Sequence, residues 1–145
     1  MRVVLDTNVL VRALLTPPNP SRELLDIALE GRDAGLTVLH DGRILAEYRD
    51  VLLRPKFEFD SKRVLKIVRR LQHVGERVKI ARKPTLPHLS DPKDAPFVEV
   101  GAVGKAAVVV TFNPKHFPRT VGFMVVDAVS VIRALDFLRG EDRSR

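Results

Sequence analysis

Apolar and polar positions along this chain follow two rhythms, one of buried strands and one of amphipathic helices. Arg2–Asp6 opens with a short β-rich apolar run, too continuous for a half-exposed strand. Asn8–Leu15 and Ser21–Glu30 then take helical spacing on either side of the proline-rich TPPNPS, with Ser21 as the expected N-cap of the second helix. Leu36–Leu39 predicts another strand. Asp41–Leu53 is helical until Pro55 stops it, Ser61–Val74 is helical again, and Arg77–Ile80 is a weak strand. From Arg82 to Ser90 the chain carries two prolines and no period. Asp91–Val103 predicts a helix, Ala106–Thr111 a strongly buried strand, Phe123–Val126 a last strand, and Ala128–Leu138 a closing helix behind an Asp127 cap. Strands alternating with helices in this way predict an α/β domain whose parallel sheet is covered on both faces. One domain over 1–139 and a disordered tail over 140–145 complete the expectation.

Composition narrows the class. At 145 residues the chain is large enough for one real core. No apolar run approaches the roughly 18 residues of a membrane span, and no signal-peptide pattern opens the chain. There are no cysteines, which excludes disulfides and thiolate metal sites. A soluble, cytoplasmic protein is expected. The formal charge of +7 and pI near 10.2 favour a polyanionic partner, although a basic solvated surface gives the same sum.

The chemistry concentrates at strand ends. In parallel sheets, ligands bind beyond the carboxyl ends of the strands, where strand order reverses. Asp6-Thr7-Asn8 follows the first strand at once; Thr111 and Asn113 follow the strand VVV. If those strands are neighbours, Asp6 and Asn113 meet over one edge. The plainer reading is that Thr7 or Asn8 only caps the next helix, although capping does not require an acid before it. In ILAEYRDVLLRP, an apolar stripe runs through Ile44, Leu45, Tyr48, Val51 and Leu52, and Glu47 lies at its margin. It can point into a cleft or pair with Arg49 or Arg54 at the surface. Asp91 before Pro92 reads as an N-cap with proline at the first helical position, and Asp94 sits in the first turn, where the helix dipole welcomes an acid. Carboxylates gathered at one cleft repel unless a cation joins them. Acids without a cysteine cluster or paired histidines suit a hard cation, Mg²⁺ or Mn²⁺.

These blocks also carry a resemblance. D-T-N after the first strand, E-Y-R-D-V-L-L-R-P-K-F, D-P-K-D-A-P-F-V-E and V-V-V-T-F-N-P-K-H-F, in that order, resemble the PIN domain family, in its branch of toxin components of toxin–antitoxin systems (VapC-like ribonucleases). The resemblance implies a three-layer α/β/α sandwich on a central parallel sheet and RNA cleavage with one or two Mg²⁺ or Mn²⁺ ions. By position it makes Asp6, Glu47 and Asp94 the family acids, with Asp91 an additional acid of this branch. It further implies an antitoxin partner, with a homodimer or higher oligomer left open. The fourth position departs, with Asn113 where the family's T-x-D-x-x-F has aspartate, and the phenylalanine falls one residue late. Asparagine offers a carbonyl oxygen without charge, which puts a second metal in doubt.

The mechanism implied is phosphodiester hydrolysis with Asp6 and Asp94 as ligands and Glu47 as a ligand or the group orienting water. Thr7, Asn8 and Thr111 would support them by hydrogen bonds. For RNA, the helix SKRVLKIVRRLQHV places Lys62, Lys66, Arg69 and His73 on one narrow face, with Arg63 and Arg70 beside it, at about 100° per residue. That face is a phosphate-tracking surface or a plain solvated one. The four histidines show no ligand spacing and read as structural or exposed. A D-x-D phosphatase is excluded by Asn8, and a phosphate-binding loop by the spacing of G-A-V-G-K-A. The standing alternative is a catalytically weak or inactive RNA-binding or protein-interaction module that keeps the PIN fold.

Overall fold

The computed structural model describes residues 1–86, 89, 91–118 and 122–140. The tail beyond Gly140 and His88 lie outside the described residues, so the expectations placed there carry no structural statement. Among the described residues, five strands form one sheet: β1 (Arg2–Leu5), β2 (Thr37–His40), β3 (Glu76–Arg77), β4 (Val108–Val110) and β5 (Met124–Val126). Their order is β3-β2-β1-β4-β5, and every pairing is parallel. The helices are α1 (Thr7–Leu14), α2 (Pro20–Glu30), α3 (Gly42–Leu52), α4 (Ser61–Val74), α5 (Ala95–Val103) and α6 (Ala128–Leu138). Steps β1 to β2 and β2 to β3 cross the sheet one way and β3 to β4 returns. Right-handed connections therefore put α5 on the face opposite α1 to α4, while α6 packs on α2. The result is the three-layer α/β/α sandwich. Among the described residues no helix is long and apolar enough to cross a membrane.

Local chemistry explains most boundaries. The core strands are buried on both faces, with Val3, Val4, Leu5, Val109 and Val110 fully inaccessible, which is why they read as unbroken apolar runs. Asp60 and Asp127 cap α4 and α6 through Lys62 N and Ser130 N, and both helices span the predicted residues. Asp41 caps α3 by accepting from Ile44 N at 3.0 Å. The cap of α2 is a correction: Asn19, not Ser21, accepts from Arg22 N, and Ser21 is buried inside the helix, which starts with Pro20 at its first position. Likewise α1 is capped by Asp6 itself and not by Thr7 or Asn8. Strand β3 shrinks to two residues and sits one position earlier than expected. It begins right after Gly75, where a Cβ would lie 2.4 Å from the Val38 carbonyl oxygen, so only glycine lets α4 end this close to β2. The expected helix over Asp91–Val103 divides into a single 3₁₀ turn, Pro92–Asp94, and α5.

Candidate active site

Chain order runs outward from β1 through β2 to β3, then returns to β4 on the other side of β1. The strand order therefore reverses between β1 and β4, and their carboxyl ends open the crevice where this sheet class binds ligands. The two strands are neighbours in register, Leu5 opposite Val110, and Asp6 N continues the ladder to the Val110 carbonyl at 2.9 Å.

Asp6 ends β1 and starts α1 at once. Its backbone is extended, its Oδ1 accepts from Thr7 N at 2.8 Å, and its Oδ2 accepts from the Thr111 hydroxyl at 2.7 Å. The acid and the cap are thus the same side chain. The Thr7 hydroxyl donates to Glu47 Oε2. Glu47 is brought there by α3, which Tyr48 pins to the sheet: the buried phenol donates to the Leu5 carbonyl at 2.6 Å. Asn8 reaches across to the strand end after β4, accepting from Phe112 N at 3.3 Å and approaching the Thr111 hydroxyl at 3.4 Å. Asn113 N donates to that same hydroxyl at 3.0 Å. Its side chain is exposed, with no hydrogen bond among the described residues. Asp94 ends the 3₁₀ turn and heads α5. Its side chain is only 15% exposed, and its Oδ2 is buried without a hydrogen-bond partner among the described residues. Asp91 caps the turn by accepting from Lys93 N at 2.9 Å.

The three acids predicted from sequence therefore meet, and their electrostatics record it. Burial raises the Asp6 carboxyl, opposed by its hydrogen bonds from Thr111 and the Thr7 amide. Burial also raises Glu47, with Asp6 repelling it and Thr7, Lys93 and Arg54 acting the other way. Asp94 is pushed up to about 6, first by burial, then by the charges of Asp6 and Asp91, with a smaller push from Glu47. Asp6 thus raises both Glu47 and Asp94, and no arginine is hydrogen-bonded to any of the three among the described residues.

Such a set fits a hard dication. All donors are oxygens, each Asp6 oxygen keeps one lone-pair direction free, and Asp94 Oδ2 is desolvated with nothing to bond. Among the described residues, no group of three or more acids or histidines is already arranged to hold a metal ion. The acids converge as a loose repelling set, not a closed cage.

Neighbours without a role in the site at the level of sequence also appear. His116 Nδ1 lies 3.7 Å from Asp94 Oδ2, brought back by the single turn Pro114–His116 that follows Asn113. Lys93 and Arg54 are the cations felt by Glu47. The surface alternative for Glu47 goes instead to Asp50, which pairs with Arg54 at 3.2 Å. Lys62, Lys66 and Arg69 are exposed on α4, as is Arg70, whose Nε donates to the Leu29 carbonyl at 3.0 Å and ties α4 to α2. None of the four appears among the charges that shift the acids. The proline that keeps the 114–116 turn tight was the available signal for His116. Arg54 was already a candidate neighbour of Glu47 in the sequence, whereas nothing there signalled Lys93.

No curated protein matches the chain by sequence. Among solved structures, the chain is similar to the crystal structure of VapBC2 from Rickettsia felis bound to a DNA fragment from their promoter. The TM-score is 0.55 at 16% identity, covering 86% of this chain and 97% of that one, a likeness of fold. The PIN domain family model matches residues 2–115, which include Asp6, Glu47, Asp94 and Asn113. With the acids gathered at the β1/β4 edge and most of its length matched by that model, the chain belongs to the PIN domain family, whose members are generally nucleases.

Proposed function

We propose that this protein is a Mg²⁺- or Mn²⁺-dependent endoribonuclease, the toxin of a toxin–antitoxin pair. The observation that carries the reading is Asp94 Oδ2, desolvated and without a hydrogen bond among the described residues, beside Asp6 and Glu47, a concentration of negative charge that a bound cation would relieve. Asp6 and Asp94 would hold the ion, with Asp91 and the Asn113 carbonyl available at the margin. When bound, such an ion polarises a phosphoryl oxygen, acidifies a water and stabilises the departing oxygen.

The chain's own residues do the positioning. Thr111 and the Thr7 amide fix both oxygens of Asp6, so its carboxylate cannot rotate away. Glu47, held by the Thr7 hydroxyl, orients the attacking water or takes its proton. His116 stands beside Asp94 and would be the side chain to hydrogen-bond a departing oxygen. The net charge of +7 supports a polyanionic substrate, and the exposed cations Lys62, Lys66, Arg69 and Arg70 are candidate phosphate contacts. The similarity in fold to VapBC2 supports an antitoxin partner.

A second reading, a catalytically weak PIN-fold binding module, draws on Asn113 and on the absence of a preformed metal cage among the described residues. One experiment separates the two. Purified protein should cleave RNA with Mn²⁺ or Mg²⁺, lose that activity in chelator and lose it in Asp6→Asn. Binding without any metal-dependent cleavage would establish the second reading.

A further inference from the structure

A cavity of about 450 Å³ opens at the carboxyl ends of β2 and β3, lined by Asp41, Arg43, Arg77, Lys79 and Lys83 among others. Four cations face one carboxylate there. Arg43 is spoken for: its Nε and Nη2 reach Asp41 Oδ2 at 3.0 and 2.8 Å, and its Nη1 reaches Glu99 Oε1 at 3.0 Å. Arg77, Lys79 and Lys83 are exposed and make no ion pair among the described residues. Their arrangement follows from the chain. After Arg77 pairs with His40, Val78 N bonds the His40 carbonyl at 2.8 Å, and the extended backbone turns Val78 inward while Arg77 and Lys79 stay exposed.

The position gives the cavity its meaning. It occupies the same edge of the sheet as the acids, one strand over, since β2 pairs with β1. Arg43 closes the gap, because Glu99 belongs to α5, the helix that Asp94 heads. We infer that this cavity is a subsite for the phosphodiester backbone of single-stranded RNA next to the phosphate at the acids, with Arg77, Lys79 and Lys83 as its contacts. The inference rests on the hydrolase reading of Asp6, Glu47 and Asp94. A polyanion placed at three carboxylates is repelled by them, and cations one strand away offset that repulsion where the chain of phosphates continues. The acid-free face of α4 carries comparable charge, but nothing in the structure links it to the acids.

The test is fluorescence anisotropy of a labelled 12-nucleotide oligouridylate, in chelator so that nothing is cut, over a series of salt concentrations. The proteins are the full chain, Arg77→Gln/Lys79→Gln/Lys83→Gln, and Lys62→Gln/Lys66→Gln on α4, each checked by its melting curve. For single strands the salt slope falls by about 0.7 for each phosphate that is no longer neutralised. The groove variant should lower the slope by about 2 and weaken binding at least tenfold. Unchanged slope and affinity in that variant overturn the subsite, as does a parent that does not bind this RNA, or a weakening confined to the α4 variant. Loss of binding only to an oligoglutamate of equal charge, with RNA binding intact, would assign the groove to an acidic protein segment and also overturn it. The hydrolase reading fails separately, on the absence of metal-dependent cleavage by the parent.

Discussion

Two groups of acids lie within one helix of each other and are treated in opposite ways. Asp41 and Glu99, 13% and 6% exposed, share the guanidinium of Arg43, which answers them with three hydrogen bonds. Asp6, Glu47 and Asp94 receive hydroxyls and an amide but no arginine hydrogen bond, with His116 3.7 Å from Asp94 and Lys93 and Arg54 acting on Glu47 by charge alone. The first group has the form of a structural clamp, in which one guanidinium answers two carboxylates within the fold, although Glu99 Oε2 is left without a hydrogen bond among the described residues. The second leaves its charge to be cancelled from outside.

The comparison breaks most visibly through activity. Removing a group that merely supports a metal ligand typically costs 10- to 100-fold, so Asp6→Asn and Asp94→Asn should each reduce metal-dependent RNA cleavage by at least about a hundredfold. Residual cleavage near the parent level in either variant would remove that acid from the chemistry.

Stability should respond in opposite directions. Arg43→Met strands the buried Glu99 and the half-buried Asp41 and should destabilise the fold by about 2 kcal/mol, below the cost at a fully buried pair because Arg43 itself is 39% exposed. Asp94→Asn removes a repelling charge and should raise the metal-free melting temperature. Both are read from denaturant or thermal melts in chelator, and a destabilised Asp94→Asn would mean that the site is already compensated.

Metal should then act on one group alone. Mn²⁺ at 100 times its dissociation constant adds about 2.7 kcal/mol to a native state that binds it. The parent and Arg43→Met should gain alike, whereas Asp6→Asn should gain much less. Equal melts with and without Mn²⁺ would speak against any cation site.

A smaller effect lies in pH. Asp94 is raised from its usual 3.8 to about 6, so the folded chain keeps a proton that the unfolded chain releases. Metal-free stability contributed by this group is therefore lost as pH rises from about 4 to 6. Because other groups titrate too, the readout is the difference between Asp94→Asn and the parent: the variant's advantage should grow across that window and level off above it. A flat difference would deny the shift.

The smallest effect belongs to Asn113→Asp. Its side chain is exposed, so the added charge should lower metal-free stability by well under 1 kcal/mol, the usual range for a surface change. Any gain should appear in Mn²⁺ affinity by titration. Unchanged affinity would place residue 113 outside the ion's reach.

How much of this was legible in the sequence depended on the range of the interaction involved. Helices α4 and α6 were readable to the residue, because Asp60 and Asp127 sit beside the apolar periods they cap. The cap of α2 was misplaced by two residues, since Asn19 and Ser21 are both good caps and the choice between them is made by Pro20. Strand β3 was blurred because its two residues owe their conformation to pairing with β2, not to their own propensity. Asp6 and Asp94 could be picked out at a strand end and a helix start, and Glu47 at the margin of the apolar stripe of α3. Arg43 with Glu99, 56 positions apart, and His116 beside Asp94 could not. Nothing local marks a side chain whose partner is brought to it by the fold.

The hydroxyl of Thr111 has one proton, and it goes to Asp6. Its oxygen in turn accepts from the Asn113 amide. The Asn113 amide is thereby wired to a carboxylate it does not itself bond: whatever draws electron density from Asp6 is felt, through one oxygen atom, at a backbone proton. The amide resonance of Asn113 becomes a spectroscopic probe of the acids, one that can be followed without substrate, without turnover and without altering a residue of the site.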